Sequence, residues 1–402
     1  MVIHPEYEWK KITPDDGHYF FGYYDRNPWN CDGSRHLTLK APQCERLPLP
    51  GETAEIGLLD GKGGYEPLTR TRCWCHQQGS MELFLPRRPD CFIYNDFDPE
   101  EQKPVARIFQ IGKGVVGRYE RPIYAISPDG RYGVSLNFGR IPRRGYSYAD
   151  TPVPAERHPA DPDADGLWLI DLGTGVSRLI VSYRTMLERH PFRYGAEQAY
   201  VWLNHAIFNC DSTRLLWLFR QCADPARMTG CCWQTFMYTC GLSGEDAECV
   251  LPEVYWHNRI SHQIWGRTPR EVLVDADWRG TGHEVVVFDE SRRPFLAERL
   301  SPGHGRMSHL VFSPDGKRLL SDSYPAGGIQ ELHLIEADTG RCTLLGRFRH
   351  EQPAGTIVEV RCDLHPRWSP DGRVVTVDSI HDGCRGIWLL ELAPALEKLS
   401  GQ

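Results

Sequence analysis

The chain has 402 residues and a formal net charge of −7, whereas a nucleic-acid-binding domain is usually basic, so we expect no nucleic acid partner. It has no run of about 18 or more apolar residues, the length that a membrane-spanning helix needs, so we expect no membrane contact. The 14 cysteines are mostly scattered and form no CXXC pair, which favours free thiols in the reducing cytoplasm. Metal binding is the alternative for Cys73 with Cys75 and for Cys231 with Cys232.

A turn-forming tetrapeptide recurs along the chain. Ser-Pro-Asp-Gly occurs at Ser127–Gly130, Ser313–Gly316 and Ser369–Gly372, and degenerate versions occur at Asn30–Gly33 and Asn209–Ser212. Proline presets φ at the second position, and Asp-Gly follows where the chain must reverse. Repeats of about 40–50 residues with short strands are typical of propeller blades. The sequence therefore predicts an all-β, seven-bladed β-propeller with four antiparallel strands in each blade.

We expect one domain, residues 1–402, whose blades follow one another along the chain. The alternating segment 7–13 has no partner nearby in sequence, so we expect it to complete the last blade and close the ring. A polar insertion, Arg140–Asp165, is expected as a loop over one face, and 184–200 is expected to contain a short helix. Six or eight blades are the alternatives, because the second blade lacks a clean turn. The seven expected blades span approximately 20–70, 75–115, 119–183, 203–252, 260–299, 307–347 and 363–396.

A histidine opens the innermost strand of four expected blades. His205, His262, His309 and His365 follow one another at intervals of about 47 to 57 residues. If the blades share one register, these side chains converge at an opening on the central axis. The alternative is structural, because a polar side chain at such a position also caps a turn or bonds to a neighbouring blade.

The segment before the last turn carries an unusual density of polar side chains. Arg361, Asp363, His365 and Arg367 alternate along it, so on an extended segment they point to one side. That is too polar for a core and dense enough for a site. The side chains expected to join this site at the channel are Gln77 or Gln78, Arg121 and Asp25.

Short motifs of the last third resemble those of oligogalacturonate lyase, a family of cytoplasmic polysaccharide lyases on a seven-bladed propeller. They lie within about 260–396 and comprise Ser261–Trp265, Ser308–Leu310 before Asp315-Gly316, and Asp363–Pro366 before the last turn. Segments of the first half resemble a wider group of propeller proteins tied to acidic polysaccharides. These segments are Phe21–Asp25, Gln77–Ser80, Arg121–Tyr124 and Ser135–Phe138.

The resemblance implies a metal site. The family's metal-binding histidines fall on His309 and His365, with Asp363 beside them, while its third histidine falls on Arg367 and its glutamine ligand on Cys362. Mn²⁺ is the metal that the resemblance implies first. Zn²⁺, which Cys362 would favour, and Ca²⁺ are the alternatives, and no metal is needed if Arg367 supplies the positive charge instead.

The resemblance also implies β-elimination from a uronic acid, in which a base removes the C5 proton and a cation stabilises the charge that develops on the carboxylate. The family's base falls on His262, with His205 as the next candidate, and Arg220 is the candidate for its catalytic arginine. A phenol or water is expected to protonate the departing oxygen, and Tyr146 and Tyr148 of the insertion are the candidate phenols. The expected substrate-binding side chains are Arg121, Arg143, Arg144, Tyr146, Gln78, Arg361 and Arg367.

The sequence thus predicts a lyase whose partner is an acidic oligosaccharide or polysaccharide. A glycoside hydrolase is one alternative, and it needs two carboxylates, for which Asp25 and Asp363 are the candidates. A non-catalytic propeller that binds a glycan or a protein is the other. An ordinary solvated loop is the alternative for Arg143 and Arg144.

Overall fold

Each Ser-Pro-Asp-Gly tetrapeptide forms a tight turn between two antiparallel strands. In Ser127–Gly130, Ser313–Gly316 and Ser369–Gly372, the glycine N–H donates to the serine carbonyl over 2.8 to 2.9 Å. The glycine φ values lie between 69° and 72°, a region that glycine adopts without strain. The serine hydroxyl also donates to the aspartate carboxylate at 2.6 Å in all three. These three predicted turns therefore mark a hairpin in three of the expected blades.

The structure is a computed structural model that describes residues 7–192, 195, 199–226, 233–256, 260–277, 280, 282–292, 297–305, 307–350, 352 and 358–393. Within these residues, seven four-stranded antiparallel sheets follow one another as blades. The prediction of an all-β, seven-bladed propeller is confirmed. Cys231 and Cys232, candidate metal ligands in the sequence, lie outside the described residues.

The strands run outward from the axis in chain order within blades one to six. The short strand β1 (Lys10–Lys11) precedes blade one in sequence. Blades one to three contain β2 (His18–Phe20), β3 (His36–Ala41), β4 (Ala54–Leu59) and β5 (Tyr65–Thr71); β6 (Leu83–Leu85), β7 (Arg88–Asp98), β8 (Lys103–Gln110) and β9 (Gly114–Tyr119); and β10 (Ala125–Ile126), β11 (Tyr132–Ser135), β12 (Gly166–Asp171) and β13 (Ser177–Ser182).

Blades four to seven continue the same order. They contain β14 (Tyr200–Phe208), β15 (Arg214–Cys222), β16 (Trp233–Gly241) and β17 (Glu248–Leu251); β18 (Ser261–Trp265), β19 (Glu271–Ala276), β20 (His283–Asp289) and β21 (Ala297–Gly305); β22 (Met307–Phe312), β23 (Arg318–Ser323), β24 (Ile329–Glu336) and β25 (Cys342–Arg349); and β26 (Arg367–Trp368), β27 (Val374–Ser379) and β28 (Gly386–Glu391). β1 pairs with β28 and completes blade seven.

Helical segments are short in the described part of the chain. The α-helices are α1 (Tyr183–Arg189) and α2 (Glu253–Trp256), and α1 begins after Ser182, whose hydroxyl accepts a hydrogen bond from the Thr185 N–H at 3.2 Å. The helix expected within 184–200 is therefore present in its first part. The 3₁₀ helices are Phe138–Arg140, Arg144–Tyr146 and Val358–Val360.

Apolar side chains pack between adjacent blades and hold the ring together. Between blades four and five, for example, Leu216 and Leu218 of β15 belong to the same buried cluster as Val272 and Val274 of β19. Within the described residues the twelve cysteines are thiols and not disulfides, and both Cys73 and Cys75 are buried, as the sequence predicts. No described helix is both long and apolar enough to cross a membrane.

The N-terminal segment closes the ring, as the sequence predicts. The N–H of Ile12 donates to the carbonyl of Ile387 over 2.9 Å, and the indole of Trp9 donates to the carbonyl of Leu345 over 3.2 Å. Trp9 and Ile12 are buried. This segment therefore joins blade seven to the outer part of blade six.

We expect deletion of residues 7–13 to cause a large loss of soluble protein, because β28 becomes an exposed edge. Replacing Trp9 alone with Ala should lower the free energy of unfolding by about 3–5 kcal/mol, the usual cost of removing a buried aromatic side chain. Lys10→Ala is the matched control, and it should change stability by about 0.5 kcal/mol or less because Lys10 is exposed. Urea unfolding measures both, and an unchanged Trp9→Ala variant would show that closure does not depend on this strand.

The insertion Arg140–Asp165 is more buried than its composition predicted. Ile141, Tyr146 and Tyr148 are buried, and the buried guanidinium of Arg140 donates to the carbonyl of Val201 over 2.8 Å. The first part of the insertion is therefore packed into the protein, and an ordinary solvated loop, the alternative for Arg143 and Arg144, does not describe it. Arginine burial is tolerated here because backbone carbonyls satisfy its donors.

Candidate active site

Backbone kinks occur at or beside the histidines, near the innermost strands of their blades. His205, His262 and His365 have positive φ values of 54°, 47° and 41°, a conformation that costs a non-glycine residue on the order of 1–3 kcal/mol and clusters at functional sites. His205 and His262 lie in β-bulges of β14 and β18, and His309 lies in the equivalent bulge of β22. Because β14, β18, β22 and β26 adjoin one another in turn, the four imidazoles meet near the axis.

Two tyrosines of blade one fill the space between these imidazoles. The ring centroid of Tyr23 lies 5.2 Å from that of His205 and 5.1 Å from that of His365. The ring centroid of Tyr24 lies 5.1 Å from that of His309. Both tyrosines are buried, so the imidazoles surround two phenol rings and not the axial opening that the sequence predicted.

His262 belongs to a relay of hydrogen bonds. Its Nδ1 lies 2.9 Å from one oxygen of Asp275, whose other oxygen lies 2.9 Å from Nδ1 of His283. Burial raises the pKa of Asp275, but the charge and hydrogen bond of His262, with those of His283, hold it at about 2. Asp275 is therefore an anion at neutral pH and accepts the Nδ1 proton of His262. Nε2 of His262 is left as an acceptor, and the Tyr324 hydroxyl donates to it over 2.9 Å.

The protonation state of His262 suits a base. Burial lowers its pKa below the usual value, although Asp275 acts in the opposite direction. The imidazole is therefore neutral at pH 7, with its tautomer fixed by a carboxylate. A neutral imidazole whose Nε2 carries no proton can accept one once the hydroxyl that donates to Nε2 moves aside.

His309, Asp363 and His365 offer ligand atoms that all lie within 4.8 Å of one another. His365 is fully buried, and within the described residues neither of its ring nitrogens has a hydrogen-bond partner. A buried polar atom normally has a partner, and a divalent cation would supply one. Two imidazoles and a carboxylate form a donor set that Mn²⁺ or Zn²⁺ accepts, so these residues fit a metal ion.

Asp322 orients both histidines of this group. Its Oδ1 accepts from Nδ1 of His309 at 2.9 Å, and its Oδ2 accepts from the backbone N–H of His365 at 3.0 Å. Such a carboxylate–histidine contact fixes the other ring nitrogen, Nε2 of His309, as the ligand atom. Asp363 is held in turn by Arg361, whose guanidinium donates to both carboxylate oxygens at 2.6 and 2.8 Å. Cys362 does not belong to the ligand group, so the argument that its thiol favours Zn²⁺ is wrong.

We expect His309→Ala and His365→Ala each to abolish Mn²⁺ binding with the fold retained. Each substitution removes one of three ligand atoms, which typically costs more affinity than a change in the surrounding hydrogen bonds. Metal analysis of dialysed protein and the rise in melting temperature on Mn²⁺ addition measure this without reference to activity. His158→Ala, in the insertion, is the control. Full metal occupancy in either ligand variant would exclude that residue as a ligand.

A cavity opens beside His262. Its described lining combines residues of the innermost strands β14 and β18, such as His205 and Ser261, with residues of outer strands of the same blades and of the insertion. None of the described lining residues belongs to a Ser-Pro-Asp-Gly turn. The lining includes the histidines His205, His262 and His283; the tyrosines Tyr23, Tyr146 and Tyr324; the arginines Arg143 and Arg220; and the tryptophans Trp202, Trp233 and Trp256. Aspartate and glutamate are absent from the described lining. The cavity is therefore aromatic and cationic.

Arg220 supplies the principal positive charge of the cavity. Burial, followed by the charge of Arg143, lowers its pKa to about 10, so it is still a cation at pH 7. Its Nε has no hydrogen-bond partner among the described residues. Arg143 lies 3.4 Å from Glu359 and stacks over Tyr146 at 4.7 Å. The structure thus brings four residues that the sequence singled out to the base: His205, Arg143, Tyr146 and Arg220.

Several other predicted site residues lie elsewhere. Tyr148 is fully buried, and its hydroxyl accepts from the Asn95 amide at 2.8 Å, so it does not reach the cavity as a proton donor. Arg144 donates to the carbonyls of Ile141 and Thr151 at 3.1 and 2.7 Å. Both side chains stabilise the insertion, and neither contacts the cavity.

Arg121 and Gln78 also lie outside the cavity lining. Arg121 stacks on the indole of Trp168, with 3.3 Å between the guanidinium carbon and the ring centroid. Gln78 donates to the hydroxyl of Tyr124 over 2.8 Å. The structure therefore does not place these two residues at the cavity, and their role in substrate binding stays a prediction.

Arg367 makes its hydrogen bonds within the protein. It donates to the carbonyl of His365 at 2.6 Å, to Asp378 at 3.3 Å and to the carbonyl of Gly22. These contacts occupy both terminal nitrogens of its guanidinium, so the structure lends no support to the metal-free alternative that rests on Arg367. Its neighbour in the sequence pattern, Arg361, does lie at the site, since it holds Asp363.

Sequence reasoning missed the partners of the histidines, which are Asp275, Asp322, His283 and Tyr324. One signal was present: an aspartate follows at 13 residues after both His262 and His309. In a blade, 13 residues span the rest of the innermost strand, the turn and most of the second strand, so the aspartate lies beside the histidine on the neighbouring strand. No comparable signal marks Tyr324, which follows β23 in a connection.

Comparisons with known proteins bear on the fold. No protein-family model matches the chain, and no curated protein does. An oligogalacturonate lyase from Vibrio parahaemolyticus is similar in structure, with a TM-score of 0.62 and 13% identity over 98% of this chain and 96% of that one. An oligogalacturonate lyase in complex with manganese has a TM-score of 0.60 and 16% identity over 97% and 94% of the two chains.

The tricorn protease is a third similar structure, with a TM-score of 0.52 and 11% identity over 95% of this chain and 35% of the protease. Identities this low establish a shared fold only. The resemblance to oligogalacturonate lyase that the sequence motifs carry is thus matched by a propeller of the same architecture over nearly the whole chain.

Proposed function

We propose that the protein is a lyase that cleaves a uronic-acid-containing oligosaccharide or polysaccharide by β-elimination. The observation that carries the proposal is His262, a neutral imidazole whose Nδ1 is held by Asp275 and whose Nε2 faces a cationic, aromatic cavity. β-Elimination needs a base for the C5 proton and a positive charge near the uronate carboxylate. Both groups line the same cavity here.

The arginine, histidine and tryptophan side chains of the cavity have separate roles in this proposal. Arg220, buried and with an unpartnered Nε, binds the uronate carboxylate and stabilises the charge that develops on it when the C5 proton leaves. Nε2 of His262 accepts that proton, while Asp275 stabilises the imidazolium that results. The tryptophan side chains offer flat apolar surfaces to the faces of neighbouring sugar rings.

A divalent cation at His309, Asp363 and His365, which we propose to be Mn²⁺, would add Lewis-acid stabilisation of the developing negative charge when bound. The ring centroids of His262 and His309 are 4.3 Å apart, so the ligand group adjoins the base. Asp322 and Arg361 keep the ligand side chains in position whether or not the metal is bound.

A glycoside hydrolase would need two carboxylates on either side of the cleaved bond. Asp25 lines a different cavity, at the end of the innermost strands where the Ser-Pro-Asp-Gly turns lie, and Asp363 is paired with Arg361. The described lining of the cavity beside His262 offers neither an acid nor a base of that kind. The geometry therefore favours elimination.

Incubation with uronate oligosaccharides tests the proposal. Elimination creates a conjugated 4,5-double bond, so ultraviolet absorbance is expected to rise in step with new reducing ends. Hydrolysis would give reducing ends without absorbance. Saturable binding with neither product would show a glycan-binding propeller. We propose the cytoplasm as the place of action, on the resemblance to a cytoplasmic lyase family.

A further inference from the structure

The phenol of Tyr324 lies on the same side of the cavity as the base. Its hydroxyl is 2.9 Å from Nε2 of His262. The residue is 39% exposed and lines the cavity. The guanidinium of Arg361 lies over this ring at 4.3 Å from its centroid, and Arg361 is itself fixed by Asp363. Tyr324 is therefore a positioned hydroxyl in direct contact with the proton acceptor.

We propose that Tyr324 protonates the departing glycosidic oxygen, and that the substrate is therefore a uronate whose C5 hydrogen and C4 oxygen lie on one face of the ring. This inference rests on the proposed lyase function and adds to it a second catalytic residue and a substrate class. D-Glucuronate and D-mannuronate residues have the required configuration. D-Galacturonate and L-guluronate residues carry the two groups on opposite faces.

The short distance between the Tyr324 hydroxyl and Nε2 of His262 restricts the acid and the base to one face of the sugar ring. A base and an acid that act from opposite faces of a pyranose are separated by the ring and by two hydrogen bonds, which amounts to at least about 5 Å. Two atoms 2.9 Å apart approach the ring from one side, where they reach H5 and O4 together only if both lie on that face. The pair His262 and Tyr324 thus selects the configuration at C4 and C5.

The proton balance of the step closes within this pair. The C5–H bond breaks and its proton goes to Nε2 of His262, while its electron pair forms the C4=C5 double bond. The C4–O4 bond breaks, its electron pair stays on O4, and the Tyr324 hydroxyl gives its proton to that oxygen. The phenolate that remains recovers a proton from the imidazolium across the same hydrogen bond. The site is reset without an outside acid or base.

A panel of four homo-oligosaccharides tests the substrate class. We expect the rise in ultraviolet absorbance with oligoglucuronate or oligomannuronate at a kcat/KM at least about tenfold above that with oligogalacturonate and oligoguluronate. Faster elimination from galacturonate or guluronate would leave the lyase function standing and overturn the same-face inference. If no member of the panel yields the double bond, both the proposed function and this inference fail.

Tyr324→Phe tests the acid while it keeps the ring under Arg361. On a glycan the variant should lose about 10²–10⁴-fold in kcat with little change in KM. On a 4-deoxy-4-fluoro uronide, whose fluoride departs without a proton donor, it should turn over at nearly the wild-type rate, whereas His262→Gln should be slow on both. Tyr132→Phe, in the exposed hairpin of blade three, is the matched control and should behave as wild type.

A merely structural role of Tyr324 would lower both rates equally, and that result would overturn the proposal. So would a loss in Tyr146→Phe that the fluoride substrate restores, because it would assign the acid to Tyr146, the cavity tyrosine of the insertion. Melting temperatures of the variants confirm that the fold is retained in each comparison.

Discussion

The His262→Gln variant is expected to fold normally and to lose about 10²–10⁴-fold in turnover, the usual contribution of a positioned general base. Glutamine fills a similar volume and keeps a hydrogen bond to Asp275, but it cannot accept the C5 proton. KM and Mn²⁺ content should change little, because Arg220 and the ligand group are untouched. Initial rates of double-bond formation, with metal analysis of the same preparation, measure the effect.

His262→Ala separates a catalytic role from a structural one. If the imidazole is the base, Ala and Gln variants should be equally slow and similarly stable. If His262 only supports the blade, Gln should be tolerated while Ala destabilises the protein, since Ala leaves one buried carboxylate oxygen of Asp275 without its hydrogen bond. Near-normal turnover in a well-folded His262→Gln protein would move the role of base to His205.

The blade order was predictable because its signals are local. A Ser-Pro-Asp-Gly turn is specified within four residues, and three such turns with two degenerate ones were enough to set the register of the repeat. Blade two lacked the signal for a physical reason: Leu85 pairs directly with Arg88, and Arg87 adopts a φ of 63° without a glycine. Its bounds were accordingly the least accurate.

The candidate site was predictable only where it follows the repeat. One of the four histidines occurs in each of blades four to seven, so their convergence could be inferred from spacing alone. Tyr146 and Arg143 reach the cavity because the insertion packs against Glu359, more than two hundred residues away in sequence, and no local pattern encodes that contact. Arg144 and Tyr148 belong to the same insertion and show the converse, since Arg144 bonds to backbone carbonyls and Tyr148 to the Asn95 side chain, so that neither forms a binding surface.

Acidification below about pH 6.5 is expected to destabilise the protein steeply. His36 and His76 are buried, and burial lowers the pKa of each from 6.5 to about 3. In the unfolded chain each takes up a proton near its ordinary pKa, so between about pH 6.5 and pH 3 the unfolded state binds protons that the folded state excludes. Stability is therefore fully present above the unfolded pKa and falls as pH drops toward the folded pKa.

The size of this effect is large relative to the stability of a typical domain. Two pH units below the unfolded pKa, each histidine contributes a loss of about 3 kcal/mol, against a total of about 5–15 kcal/mol. His190 and His381 add to the loss in the same direction, because burial lowers their pKa values to about 4.

Urea unfolding at a series of pH values between about 7.5 and 4.5 measures the slope, which gives the number of protons taken up on unfolding. His76→Gln is the informative variant, because its amide can still donate to the carbonyl of Gln43, which lies 3.1 Å from Nε2 in the native protein. It should leave the free energy of unfolding at pH 7.5 nearly unchanged and reduce the proton uptake by up to about one, and His36→Gln should do the same. An undiminished slope in the double variant would assign the acid sensitivity to buried carboxylates such as Asp363, since burial raises its pKa but the charge and hydrogen bonds of Arg361 hold the pKa below its usual value.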